Sequence, residues 1–483
     1  LTPAPAILLL AASAYGPVVV VAPEGPPSAE TAWIGAAVAD ALPRDLGLLK
    51  VPAVDRADLR QTLEKLGITG TPVTRASAIR VAEALQASRL VTGSYVSEDA
   101  QVTLSLRLLD VERATLSAPL IATGPLARLP ELIAGLAWDI ALAGSTRPAS
   151  SREEFLAQEP PVPLEALRAY ARALSVSDPV ARAKLLRRVL GVRPAYDEAR
   201  LALGRLQVET REFEGALESL KRIPAASRVG RTARFLEGVA FLGLGRYAEA
   251  SELYAALVAE GPSPAALNNQ ALALLRLGRG TTRASAVLRR AIDLDRNALD
   301  VPFNLGFALL TEGQAEAAAF WLETVVGRDP ADARAQVVLA WASRMAGREA
   351  QADALWRQVV AQSPSYETLA TPDLARRFER IRDSEAPPLR GSDDSAEGGP
   401  AATLVAHAEA LLREDRLDDA LTELRRAVYL EPTDPRIHLL IARLYRARGE
   451  TEQALASFRR SLWSRDDTAV RLEMDSLASS PNR

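Results

Sequence analysis

The feature that most constrains this chain is a period. A small residue recurs about every 34 positions, at Gly204, Gly238, Ala271, Gly306 and Ala340. A glycine follows in the same frame at Gly245, Gly278, Gly313 and Gly347, then an alanine at Ala216, Ala250, Ala284, Ala318 and Ala352. Prolines close units at Pro194, Pro262, Pro330 and Pro364. The frame resumes downstream with Ala408, Ala420 and Pro432, then Ala442, Gly449 and Ala454. Each residue type has a physical job. Small residues let two antiparallel helices approach, glycine accepts the left-handed conformation that ends the first helix, and proline stops the second. Leu220, Leu288, Leu322, Trp356, Leu424 and Phe458 recur as bulky residues expected to fill the space between hairpins. One hairpin cannot bury its apolar face alone, so such units must stack.

These markers resemble the tetratricopeptide repeat family over roughly Leu164–Pro364 and Ala401–Ser464, six units before a break and two after. The unit around Tyr170 lacks the inter-helix glycine, the unit ending near Ala225 loses the proline register, and Gly280-Thr281-Thr282 carries an extra residue. The resemblance implies an all-α superhelical solenoid whose first helices line a concave groove for a peptide or helix of a protein partner. Counting from the small residue places Arg205, Phe235, Val239, Leu242, Asn268, Asn269, Leu272, Leu275, Phe303, Asn304, Phe307, Trp341 and Arg344 on that wall. An apolar centre flanked by Asn and Arg suits an apolar peptide or helix whose backbone bonds to the Asn side chains. Aromatic residues at this spacing suit packing between helices equally well. A helix over Leu369–Arg382 is expected to cap the first stack, leaving the wall free for a guest.

Upstream of the repeats the pattern is mixed. Val18–Ala22 and Leu48–Val54 read as strands, Ala29–Leu42, Arg56–Leu66 and Thr74–Ala87 as helices. Arg89–Val96 and Gln101–Val111 read as a hairpin joined by Ser97-Glu98-Asp99-Ala100, Thr115–Ala122 as a third antiparallel strand, and Leu126–Leu142 as a helix. An α+β domain with one sheet and helices on one side follows, over residues 17–144. The runs beginning at Val18, Trp33, Arg89 and Gln101 resemble the N-terminal domain of TolB and related FlgO- and CsgG-like domains. That resemblance implies protein–protein contact near a bacterial envelope. Pro23-Glu24 stands where the family has Pro-Phe, so a buried aromatic is missing there. Residues 145–163 read as a linker and 384–400, rich in Pro, Gly, Ser and acid, as disordered. A C-terminal repeat pair with a tail occupies 401–483.

Residues 1–16 include a short apolar, small-residue run ending Ala12-Ser13-Ala14, as in a truncated signal peptide. Export to the periplasm is therefore expected, with a cytoplasmic location as the alternative. No run reaches the length of a membrane-spanning helix. Net charge is −3, against nucleic acid as a main partner. There is no cysteine, and His407 and His438 are the two histidines. Disulfides, thiolate chemistry and a histidine-rich metal site fall away, and no P-loop, HExxH or GxSxG sequence occurs. No catalytic residue, metal site or cofactor is expected. The expected role is a non-catalytic interaction scaffold of the bacterial envelope. The alternative is a regulatory part of a larger kinase, cyclase or transcription regulator whose catalytic or DNA-binding domain lies upstream.

Overall fold

The computed structural model describes residues 17–479 apart from 27–30, 55, 57–58, 60–61, 64–65, 69–74, 86, 112, 114, 145–150, 158–161, 279–280, 297, 370–376 and 386–399. The expected leader, most of the helix at 56–66 and most of the spacer at 384–400 lie outside the described residues. The chain divides into two compact units, Leu1–Ala240 and Phe241–Arg483. It is mostly a helical repeat array with a small N-terminal sheet.

In the first unit β1 (Val18–Val20) runs parallel to β2 (Arg89–Glu98), which pairs antiparallel with β3 (Gln101–Asp110). Along β3, buried Val102, Leu104 and Leu106 alternate with more open Gln101, Thr103 and Ser105, the half-wet pattern the sequence carries. Asp99 and Ala100 turn the β2–β3 hairpin with φ of 49° and 61°, the right-handed strand twist outweighing their side-chain cost. Two expectations change. The strand expected at Thr115–Ala122 is two, β4 (Thr115–Leu116) and β5 (Leu120–Pro125), both on β3. Leu48–Val54 is not a strand: its one bridge joins Ala53 to Val18. Pro52 has no N–H to extend a ladder, though its carbonyl accepts from the Val18 N–H at 2.8 Å. Helices α1 (Trp33–Leu48), α2 (Arg75–Ala84) and α3 (Leu129–Ala143) complete the sheet region.

The stretch read as a linker contains α4 (Arg152–Ala157), whose Phe155 is buried with its ring 5.9 Å from Trp138. The buried ring, an Arg228 N–H donated to the Phe155 carbonyl at 3.0 Å and the Arg228 guanidinium 5.1 Å over the ring help offset the cost of ordering that turn. The repeat helices α5 (Leu164–Ser175), α6 (Pro179–Val192) and α7 (Asp197–Glu209) share a core with the sheet region, and α8 (Phe213–Leu220) follows α7 in its hairpin. The Tyr170 hydroxyl donates to Asp40 at 2.9 Å, and Arg44 pairs with Glu198 at 3.4 Å. The unit boundary falls inside α9 (Gly230–Gly243).

The second unit holds α10 (Tyr247–Glu260), α11 (Pro264–Leu277), α12 (Thr281–Leu294), α13 (Asp300–Thr311), α14 (Ala315–Arg328), α15 (Ala333–Met345) and α16 (Glu349–Gln362). After these come α17 (Pro400–Arg413), α18 (Leu417–Leu430), α19 (Pro435–Ala447), α20 (Thr451–Ser464) and α21 (Thr468–Ala478). Gly245, Gly278, Gly313, Gly347 and Gly449 all have φ between 65° and 77°. In two units without that glycine, Arg211 and Asp415 hold the same left-handed corner, at φ 62° and 60°, while the α5–α6 corner at Val176 is extended instead. The geometry of the hairpin outranks the residue's own preference there. The bulky repeat residues also move: a Cβ built on Gly204 would lie 2.5 Å from Leu220, and one on Gly306 would lie 2.6 Å from Leu322. Leucine therefore fills the gap within its own hairpin, opposite the small residue.

The C-terminal hairpins touch the second helices of the middle repeats. The Trp463 carbonyl accepts from the Trp321 indole at 3.2 Å and from Arg289 at 3.3 Å. Phe320 meets His438 and Trp463 at 5.7 Å each.

Candidate binding groove

The inner wall of the second unit is built by the first helices of three successive hairpins, α11, α13 and α15. From the small residues Ala271 and Gly306, the frame turns Asn269 and Asn304 onto one face, with Asn268 beside them. All three asparagines are fully buried, as are Phe303, Phe307 and Trp341. An asparagine amide buried without partners costs about 1–3 kcal/mol, so the partners decide what this wall is for.

They come from the chain itself. Residues 377–385 lie along the wall outside any helix, and residues 380 and 382 bond to the same side of it, as alternate residues of an extended strand do. The Arg380 N–H donates to Asn304 Oδ1 at 2.8 Å, and the Arg380 carbonyl accepts from Asn304 Nδ2 at 2.9 Å and Asn268 Nδ2 at 3.0 Å. Two residues on, the Arg382 N–H donates to Asn269 Oδ1 at 2.9 Å and its carbonyl accepts from Asn269 Nδ2 at 2.7 Å. Asn304 and Asn269 each act as a neighbouring β-strand would, taking the N–H and C=O that one residue turns to the same side. The amides also bond each other. Asn304 Nδ2 donates to Asn268 Oδ1 at 2.7 Å, Asn268 Nδ2 to Asn269 Oδ1 at 3.2 Å, and Asn269 Nδ2 to the Tyr254 hydroxyl at 3.0 Å. Such a connected network polarises along its length and fixes every amide's orientation. Burial pushes the Tyr254 phenol well above its ordinary range, so it stays neutral.

Side chains complete the seat. Phe378 is buried 5.1 Å from Trp341 in an edge-on arrangement and 6.3 Å from Phe307. The Arg380 guanidinium lies 3.9 Å over the Phe303 ring and pairs with Asp332, with Asp300 at 3.7 Å. Arg382 reaches Asp300 at 3.3 Å and Asp295 at 3.8 Å. Between these, Glu379 accepts from Arg276 at 2.7 Å and Ser263 donates to Glu385 at 2.7 Å. Arg377 stacks on Tyr247 at 5.5 Å. The Trp341 indole donates to the Leu369 carbonyl at 2.8 Å.

The helix expected to run to Arg382 is thus absent from 377 onward, and the wall expected to stand free is occupied. Leu374, Phe378 and Ile381 fit helical spacing. Residues 377–385 gain asparagine amides and an aromatic pocket that a helix, with its backbone bonded internally, could not use. Of the residues placed on the wall from the sequence, Asn268, Asn269, Phe303, Asn304, Phe307 and Trp341 come together here. Arg344 pairs with Asp353 at 2.9 Å and Glu349 at 3.6 Å on the following helix. Arg205 and Phe235 belong to the first unit, where Phe235 is buried. Counting from the small residue did not find Asp295, Asp300 and Asp332, because they sit at helix ends, Asp295 just past the close of α12 and Asp300 and Asp332 at the starts of α13 and α15, rather than along the wall helices. The Asp332 cap on the Ala335 N–H, at 3.0 Å, was the available signal. The alternation Phe378, Arg380, Arg382 was the signal for the segment.

The histidines lie apart from this groove. His438 is buried with its ring nitrogen 2.7 Å from the Pro432 carbonyl, while His407 is exposed 3.8 Å from Glu423. Among the described residues no cluster of acidic or histidine side chains could hold a metal, and no helix is long and apolar enough to cross a membrane.

Tetratricopeptide-repeat family models match residues 164–231, 235–298 and 411–471, so the chain carries these repeats. Proteins of this kind bind protein partners and are generally non-catalytic. No curated protein matches the chain. Similar solved structures include YrrB, described as a tetratricopeptide protein with an unusual peptide-binding site. It is 19% identical, over 39% of this chain and 96% of that one, with a TM-score of 0.32. A repeat protein from Parabacteroides merdae is 14% identical over 65% of this chain and 98% of its own, TM-score 0.37. Pseudomonas aeruginosa pilF is 18% identical over 41% and 93%, TM-score 0.36.

Proposed function

We propose that this chain is an interaction scaffold whose second unit grips an extended peptide by its main chain. The observation that carries this reading is the paired N–H and C=O capture of Arg380 by Asn304 and of Arg382 by Asn269. A wall made for a partner helix would offer no such groups, because a helix keeps its backbone bonds to itself. The sheet region of the first unit, with its resemblance to TolB-type domains, contacts a component of the bacterial envelope. The apolar leader-like run before residue 17 supports an exported location. On this reading the chain performs no chemistry itself and uses no metal or cofactor.

The test is a random peptide library displayed against the full chain carrying Phe378→Ala, which loosens the resident segment. The same chain with Asn269→Ala and Asn304→Ala added serves as comparison. Peptides enriched by the first and lost by the second support the reading. Equal recovery by both would end it.

A further inference from the structure

We infer that the partner segment taken by this groove carries the pattern aromatic-x-Arg-x-Arg, and that residues 377–385 are an internal stand-in holding the site until that partner arrives. The inference rests on the main-chain reading above and adds to it the side-chain code and the competition.

The asparagines read backbone and so cannot choose a sequence. Choice comes from three seats spaced two residues apart, as the alternation of an extended strand requires. The first is the aromatic slot of Phe307 and Trp341, which leaves Phe378 only 3% exposed. The second is the Phe303 face backed by Asp332, which takes a flat cation. The third is the pair Asp295 and Asp300 around Arg382. Three carboxylates thus face two guanidinium groups, and an acidic seat draws a basic guest. Stacking on Phe303 while bonding a carboxylate at the ring's edge suits planar Arg and not the compact ammonium of Lys. Of the two intervening residues, Ile381 is 43% exposed, whereas the Glu379 side chain is 6% exposed and paired with Arg276. A guest matched at three positions can therefore differ at the place of Ile381, while the place of Glu379 favours an acidic or neutral polar residue. Because the resident segment is part of the same chain, it competes at a high effective concentration, and a free peptide must displace it.

A fluorescent peptide copying residues 375–385 would be titrated against the full chain and against full chain carrying Phe378→Ala, Arg380→Ala and Arg382→Ala. Far-UV circular dichroism would check that the variant keeps its helices. The expected result is binding to the variant at least about tenfold tighter than to the parent. Replacing the peptide residues that copy Phe378, Arg380 and Arg382 by Ala should weaken that binding roughly 30-fold. Replacing only those that copy Arg380 and Arg382 by Lys should weaken it about fivefold. Equal binding of the Ala-substituted peptide would overturn the side-chain code while leaving main-chain reading intact. If neither peptide binds the folded variant, both readings fall. Equal affinity of parent and variant would remove the stand-in role. A parent found to be dimeric, with this segment seated in its neighbour's groove, would replace the foreign partner by a second copy and overturn the proposal.

Discussion

Two stretches of the second unit use the same repeat for different ends. In the middle hairpins the residue after the small position is Phe307 or Trp341, both buried beneath residues 377–385. In the C-terminal pair that position is Glu409 or Arg443, both exposed. Two positions before the small residue stand Asn269 and Asn304 in the middle, and Ala406 and Leu440 in the pair. Helix, corner and hairpin packing are alike in both stretches. The difference lies in a few wall positions that the hairpin does not need. Scaffold and specificity are thus separable within one repeat, and a wall becomes a site only where its polar groups have something to hold.

The largest effect should come from emptying the aromatic slot. Trp341→Ala removes a fully buried indole and leaves the Leu369 carbonyl unpaired, and should cost about 3–5 kcal/mol in urea unfolding. Arg443→Ala, at the same repeat position, should change stability by no more than about 0.5 kcal/mol, because its ion pair with Glu473 is solvent-screened. Similar losses at both sites would break the comparison.

A smaller effect concerns how the C-terminal pair meets the middle repeats. Burial pushes the His438 imidazole below its ordinary value, with Arg460 acting the same way, against the Pro432 carbonyl and Asp434, which favour the charged form. The folded chain then binds fewer protons than the unfolded chain, so stability falls as pH drops from above ~6.5 towards the depressed folded value. Between about pH 7.5 and 5.5 the parent should lose on the order of 2 °C more in Tm than His438→Gln. Parallel melting curves for the two proteins would show that His438 is not strained by burial.

The smallest effect sharpens the view that the left-handed corner recurs with or without glycine. Arg211→Gly and Asp415→Gly place glycine where five other corners already have it. Each should raise stability by about 0.5–1 kcal/mol, read as a shift in urea midpoint. A loss would mean that those side chains hold the corner in another way.

Much of this was legible in the sequence, for a physical reason. The repeat markers are imposed by close contact and by backbone angle, so Gly306, Gly313 and Ala318 announce their places directly. The β2–β3 hairpin showed itself by alternation. Asn268, Asn269 and Asn304 could be placed on the wall, and backbone bonding inferred, because counting along a helix fixes direction. The occupant could not be found that way. Phe378 and Ile381 satisfy helical spacing as well as extended alternation, and the tie was broken by asparagines far away in sequence. Arg211 and Asp415 hid their corners because tertiary packing imposed a conformation that neither residue prefers. Phe155 hid α4 because a single buried ring leaves no periodicity to read.

The asparagine clasp also measures distance along whatever lies in it. Since it holds residues two apart, a shift by one would turn both N–H and C=O groups away from their amides, and every anchoring side chain would face outward. A shift by two would restore the backbone bonds but drive Arg380 into the ring slot vacated by Phe378. Sliding is therefore blocked at the first step by the main chain and at the second by charge. A chain can leave this seat only by lifting off, not by creeping along it.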